Sequence, residues 1–90
     1  MSARLDAIRA RLIETFDPAE CHLVDDSARH AGHAGAASGG GHFTLHIVSR
    51  HFEGQSRLSR HRLVYDSLRN FMHSDIHALA ITALAPSEIQ

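Results

Sequence analysis

The chain has 90 residues, of which 43% are hydrophobic, and its 9 basic residues, all arginine, nearly balance 10 acidic ones to give a net charge of −1. This length fits one small domain over residues 1–90, and the charge gives no bulk field that would draw the chain to nucleic acid or to a membrane surface. No run approaches the roughly 18 apolar residues that a membrane span needs. A single cysteine, Cys21, excludes an internal disulfide and a multi-cysteine metal cage, and favours a reducing compartment.

The first half of the chain predicts a helix, a short strand and a long loop. The apolar residues before position 17 recur at spacings of three, four and one, which predicts a helix with one buried face: Leu5, Ile8, Leu12, Ile13 and Phe16. Asp17 and Pro18 end this helix, and residues 21–26 form a short strand. The stretch 27–41 holds five of the six glycines without any periodicity. It predicts a flexible loop whose length is typical of functional or disordered segments.

The second half predicts a strand, a helix and a final strand. Residues 42–49 alternate, with Phe43, Leu45 and Ile47 on one side, as in a strand with one buried face. Ser56 is the expected N-cap of a second helix. The apolar stripe of that helix is expected to consist of Leu58, Val64, Tyr65, Leu68 and Phe71.

A short helical turn around residues 70–74 precedes the last strand, residues 76–84. In that strand His77, Leu79 and Ile81 are expected to share one side. The order of elements predicts an α+β domain, a three-stranded sheet with helices packed on one face.

The sequence contains no pattern that predicts an enzyme. It has no nucleophile elbow, no P-loop and no H-E-x-x-H zinc motif. Asp25 and Asp26 are neighbours on a strand, as are Cys21 and His22, so the side chains of each pair diverge. We therefore expect a binding or accessory protein.

Histidine is the most distinctive residue type, with nine copies. His30 and His33 lie in the glycine-rich loop, and His77 begins the last strand; the others are predicted strand, turn or surface positions. Imidazole is a common ligand for borderline metals. Two or three histidines make an incomplete site unless a partner supplies the remaining ligands, and the alternative is a solvated loop.

A second candidate site is a basic cluster at the start of the second helix. It consists of Arg57, Arg60, His61 and Arg62. Arginines near a helix N-terminus can bind phosphate together with the free amides there. The alternative is a solvated helix face with salt bridges to Glu53 or Asp66.

Several motifs together resemble the BolA family from about residue 6 to residue 88. They are Asp25-Asp26-Ser27, His30-Ala31-Gly32-His33-Ala34-Gly35, His42-Phe43, Ile47-Val48-Ser49, Phe52-Glu53-Gly54-Gln55-Ser56, Arg60-His61-Arg62-Leu63-Val64-Tyr65 and Ile76-His77-Ala78-Leu79-Ala80-Ile81. The combination F-x-G-x-S-x-x-x-R-H-R followed by I-H-A-L is the most specific part of this resemblance.

The resemblance implies a class II KH-like fold of order α-β-β-α-α-β and a role beside monothiol glutaredoxins of the CGFS type. In such a heterodimer a [2Fe–2S] cluster is shared between the glutaredoxin cysteine, a glutathione thiolate and side chains of the BolA-like protein. The matching positions are His77 and, in the loop, His30, with His33 as the alternative. The isolated chain is then expected to hold no cofactor, to be a monomer or weak homodimer, and to reside in the cytoplasm, or in mitochondria if eukaryotic.

Two departures from the family pattern bear on the site. Gly40-Gly41 replaces the usual Glu-Thr before the His-Phe strand, which predicts a less firmly anchored loop end, and the usual aromatic residue after Glu88 is absent. The family is also linked to transcriptional regulation. The alternative function is therefore nucleic-acid binding on the KH-like helical surface, although the G-x-x-G loop of true KH domains is missing. A structural or partner-facing role is open for Arg60 and His61.

Overall fold

The computed structural model describes residues 3–27 and 41–89. In chain order its helices and strands are α1 (Ala3–Phe16), β1 (Glu20–Asp25), β2 (Gly41–Val48), α2 (Arg57–Ser67) and β3 (Ile76–Leu84). Short 3-10 turns occupy Arg50–Phe52, Arg69–Phe71 and Pro86–Glu88. The α+β order agrees with the prediction, with the third helix reduced to the turn Arg69–Phe71. Within the described residues no helix is long and apolar enough to cross a bilayer.

The sheet has the order β1-β2-β3, so β2 is its central strand. β2 runs antiparallel to β1 and parallel to β3. Its side chains alternate as predicted, and Phe43, Leu45 and Ile47 are buried in a core shared with the helices. The core therefore lies between the helices and one face of the sheet, while Thr44 on the opposite face is exposed.

Helix α1 packs on the sheet through a narrower stripe than its composition predicts. Ile8, Leu12 and Phe16, spaced four residues apart, are buried. Ile13 is 49% exposed, contrary to the prediction, because a turn of about 100° carries it off the stripe that Leu12 occupies. The helix ends at Asp17 as predicted: this residue has a φ of +43° and donates its N–H to the carbonyl of Ile13 at 3.0 Å.

Helix α2 begins at the predicted cap but has two apolar faces, of which one is buried. The Ser56 hydroxyl accepts the N–H of Ser59 at 3.0 Å. Val64 and Leu68 are buried, whereas Leu58 is 61% exposed and Tyr65 is also exposed. The prediction of a single apolar stripe is wrong. Leu58 and Tyr65, seven residues apart, share a face of the helix that lies about 100° from the buried Val64.

Strand β3 carries one extra residue. Gly41 pairs with Ile76 and His42 pairs with Ala78, so His77 has no residue opposite it on β2. This bulge overturns the expectation that His77 shares a side with Leu79 and Ile81. Leu79 is buried, Ile81 is half-buried and His77 is exposed.

Candidate functional site

The bulge brings two histidines together at the beginning of β2 and β3. The ring centroids of His42 and His77 are 5.1 Å apart, with an angle of 46° between the ring planes. His77 is exposed and His42 is half-buried. Sequence reasoning treated His42 only as a strand position, because its proximity to His77 depends on the register of two strands distant in the chain. The structure thus adds a second imidazole beside the predicted ligand.

The loop that carries His30 and His33 lies outside the described residues, but both of its ends are held close to His77. The N–H of His42 donates to the Ser27 hydroxyl at 3.1 Å, so the two ends are joined. The N–H of Gly41 donates to the carbonyl of Asp75 at 3.0 Å, two residues before His77. The loop therefore leaves and re-enters the described structure beside the start of β3.

The first residues of this loop are fixed by a carboxylate. Asp25 accepts the N–H of Ser27 at 2.9 Å. The side-chain hydrogen bond with Ser27, followed by this backbone bond, lowers the pKa of Asp25, and the charge of Arg4 adds to the effect. Asp26 is bonded to the hydroxyl of Thr44. Two carboxylates therefore anchor the N-terminal end of the loop to the sheet.

Gly41 has a packing reason to be glycine. A Cβ placed there would lie 2.5 Å from Cε2 of Phe43 and 3.0 Å from Nη2 of Arg4. The Arg4 guanidinium itself sits 5.5 Å from the centroid of the Phe43 ring. Glycine at position 41, where the family usually has threonine, thus leaves room for the buried Phe43 ring. The hydrogen bond from Gly41 to Asp75 anchors the loop end that the sequence predicted to be less firmly held.

Within residues 3–27 and 41–89, no group of three or more His, Cys, Asp or Glu side chains is arranged to hold a metal ion. Cys21 faces the core opposite Ile47, and burial raises the pKa of its thiol, an effect that Arg9 partly offsets. A raised pKa disfavours the thiolate that binds metals. The Cys21 thiol is therefore a poor metal ligand, which leaves imidazoles and carboxylates as the ligands that this part of the chain can offer.

The basic cluster divides into one structural residue, Arg60, two exposed arginines and the half-buried His61. The side chain of Arg60 is only 12% exposed. It donates to the carbonyls of Gln55 at 2.9 Å and Ala83 at 3.0 Å, and to the carboxylate of Glu88 at 2.6 Å. Arg60 thus joins the start of α2, the end of β3 and the last 3-10 turn.

The basic cluster lies beside a cleft of about 370 Å³ between α2 and β3. Arg57 is exposed and His61 is half-buried, and both line the cleft, while Arg62 is exposed. Within the described residues, the cluster does not form the salt bridges to Glu53 or Asp66 that the alternative interpretation predicted. Asp66 pairs with Arg69 at 3.3 Å, and Glu53 accepts the hydroxyl of Ser87.

Residues 12–88 match the protein family described as BolA-like protein. SufE-like protein 1, chloroplastic/mitochondrial, of Arabidopsis thaliana is 44% identical over 87 residues, which are 91% of this chain and 24% of that protein. Protein BOLA1, chloroplastic, of the same plant is 41% identical over 94% of this chain and 55% of its own length. The DNA-binding transcriptional regulator BolA of Escherichia coli (strain K12) is 37% identical over 84% of this chain and 70% of its own.

Solved structures show the same fold. The BolA domain of SufE1 from Arabidopsis thaliana superposes with a TM-score of 0.87 at 42% sequence identity and covers 99% of both chains. The predicted α+β fold is confirmed by this likeness.

Proposed function

Because this chain belongs to the BolA-like family, we propose that it is a non-enzymatic iron–sulfur accessory protein. It forms a heterodimer with a monothiol CGFS glutaredoxin and shares a [2Fe–2S] cluster with it for assembly or transfer. The observation that carries the proposal is that both ends of the His30/His33 loop are anchored beside the exposed imidazole of His77. The proposal requires a loop histidine to bind the same cluster as His77, and the position of the loop ends supports it.

The donor set fits half of such a cluster. A [2Fe–2S] cluster needs four protein or glutathione ligands, and histidine can replace cysteine at one of the two irons. His77 and His30, or His33 in its place, would supply these imidazoles, with the ring of His42 beside His77. The glutaredoxin cysteine and glutathione would supply the thiolates, which a reducing compartment keeps available.

Imidazole ligation also has chemical consequences. A neutral histidine in place of a thiolate lowers the negative charge at its iron and raises the reduction potential. Protonation competes with the metal for the imidazole nitrogen, so the histidine ligands would hold the cluster less firmly as the pH falls. These properties favour transfer or sensing of the cluster over its permanent storage.

The test is to mix the chain with a cluster-loaded monothiol glutaredoxin and to record visible absorption and circular dichroism. We expect the spectrum to change on mixing, and we expect His77→Ala to abolish that change. His73→Ala is the matched control, because His73 is also exposed but lies on the turn before β3. An unaltered spectrum with His77→Ala would refute the ligand assignment. Comparing His30→Ala with His33→Ala identifies the loop ligand.

A second candidate function is nucleic-acid binding by the basic cluster. The exposure of Arg57 and Arg62 favours it, and a relative is named as a DNA-binding transcriptional regulator. Binding to duplex DNA should weaken steeply with salt, and Arg57→Ala or Arg62→Ala should each reduce the slope of log K against log salt by about 1. Lack of binding at low salt would exclude this function.

A further inference from the structure

The sheet face opposite the core carries a second pair of histidines, separate from His77. His22 on β1 and His46 on β2 are directly paired in the antiparallel register. Their ring centroids lie 6.0 Å apart, with an angle of 46° between the planes. The side chain of His22 is 66% exposed, and that of His46 is half-buried. Both rings are thus within reach of an ion from solvent.

A carboxylate lies at the same place. Glu20 is two residues before His22 on the same side of β1, and its Oε1 is 3.4 Å from Nε2 of His22. Its side chain is also well exposed. Exposed side chains change rotamer at little cost, so Glu20 can turn toward an ion held between the two rings.

These separations suit a tetrahedral divalent ion. Zinc bonds of about 2.0–2.2 Å to nitrogen and oxygen place two ligand atoms of a tetrahedron about 3.4 Å apart. Two imidazoles that share one such ion have ring centroids about 5 Å apart. The Glu20–His22 contact matches the first value. The His22–His46 spacing of 6.0 Å is wider than the second, and a rotamer change of the exposed His22 ring would bring the two rings into range.

We propose that His22 and His46 form a two-histidine binding site for a divalent transition-metal ion, with the remaining positions open to water. Glu20 is not arranged as a third ligand in the described structure and would join the site only after its exposed side chain changes rotamer. Imidazole nitrogen with one carboxylate oxygen selects ions such as Zn²⁺ or Cu²⁺ over the oxygen-preferring Mg²⁺ and Ca²⁺. Metal binding requires both imidazoles to be neutral. Protons therefore compete with the ion, and the affinity for the metal falls in acid. The site shares no residue with His77 or with the loop histidines.

The test is a Zn²⁺ titration of the full chain carrying His30→Asn, His33→Asn and His77→Ala, which removes the other candidate ligands. Calorimetry should give one ion per chain. The imidazole nitrogen signals of His22 and His46 should shift together in NMR spectra. His22→Asn or His46→Asn should each weaken Zn²⁺ binding at least tenfold, the double variant should lose little more, and Glu20→Gln should lose less.

His73→Asn is the control, since it removes an exposed histidine elsewhere and should leave the affinity unchanged. Far-UV circular dichroism checks that each variant is folded, and His22→Gln repeats the test with a longer amide. The proposal is overturned if His22→Asn keeps its affinity within twofold, or if the signals of His22 and His46 shift at different Zn²⁺ concentrations.

Discussion

Gly41 decides whether the Phe43 ring can lie where it does. Both residues are buried, and the ring edge occupies the space that a Cβ at position 41 would need. Since Phe43 faces the core from the central strand, the ring has little room to move aside. The absence of one methyl group at the end of the loop is therefore a packing requirement of the core.

We expect Gly41→Ala to lower the free energy of unfolding by about 1–3 kcal/mol, the usual cost of overpacking. Urea denaturation measures this loss. Introducing Phe43→Leu into both backgrounds is the control: the smaller side chain should relieve the clash, and the two substitutions should couple by at least about 0.5 kcal/mol. Additive losses would show that the contact is not the cause.

Whether a residue's environment could be predicted from the sequence depends on how far apart in the chain its contacts are. The burial of the alternate residues Phe43, Leu45 and Ile47 could be predicted from the sequence, because it depends on the pleat of a single strand. The exposed position of His77 is not, because a bulge exists only relative to the register of a second strand. The neighbouring pairs of histidines escaped sequence reasoning for the same reason.

Three elements meet at Arg60, and their mutual position depends on its guanidinium. We expect Arg60→Ala to destabilise the chain by about 2 kcal/mol, because it removes charged hydrogen bonds to the Ala83 carbonyl and the Glu88 carboxylate in a partly buried place. Arg57→Ala is the matched control, since Arg57 is exposed at the start of the same helix, and its cost should stay within about 0.5 kcal/mol. Equal losses in thermal or chemical unfolding would contradict this assignment.

The elements themselves were more predictable than their orientation. Hydrophobic periodicity with Ser56, Asp17 and Pro18 placed both helices and all three strands of the described structure. It did not show which face of α2 is buried, because Leu58 and Tyr65 are large hydrophobic residues that remain exposed. That choice depends on the sheet against which the helix packs.

For the whole molecule, two carboxylates link stability to pH. Hydrogen bonds from the Ala85 amide and then from Arg60 lower the pKa of Glu88, and Ser27 lowers the pKa of Asp25. The unfolded chain therefore binds more protons than the folded one in acid. The stabilisation is complete above the ordinary pKa of each carboxyl group and disappears as the pH falls through its lowered value in the folded state.

We expect Glu88→Gln to reduce stability at neutral pH and to flatten the rise of stability with pH in the acid range. Urea midpoints measured from acid to neutral pH give this profile. Glu14→Gln, which removes an exposed carboxylate of α1, should leave the profile unchanged. A parallel profile for Glu88→Gln and the unmodified chain would show that this carboxylate does not contribute.

The site as a whole could be predicted only in part. The resemblance implied His77 and the loop histidines as ligands, and that assignment stays a prediction. The structure adds that the contacts of Gly41 and Ser27 hold both loop ends near the start of β3. Composition and spacing alone supported no more than an incomplete metal site, because ligands meet through the fold and not through their distance in the chain.

The bulge in β3 allows the side chain at position 77 to vary without affecting the pairing of β2 with β3. Since His77 stands outside the pairing of β2 with β3, the buried residues on either side keep their partners whatever side chain it carries. We therefore expect mutation at this position to be nearly neutral for folding, so that, under the proposed function, selection would act on it through cluster binding. The side chain at position 77 could then change in evolution without passing through an unstable intermediate, because the bulge uncouples it from the pairing of the neighbouring strands.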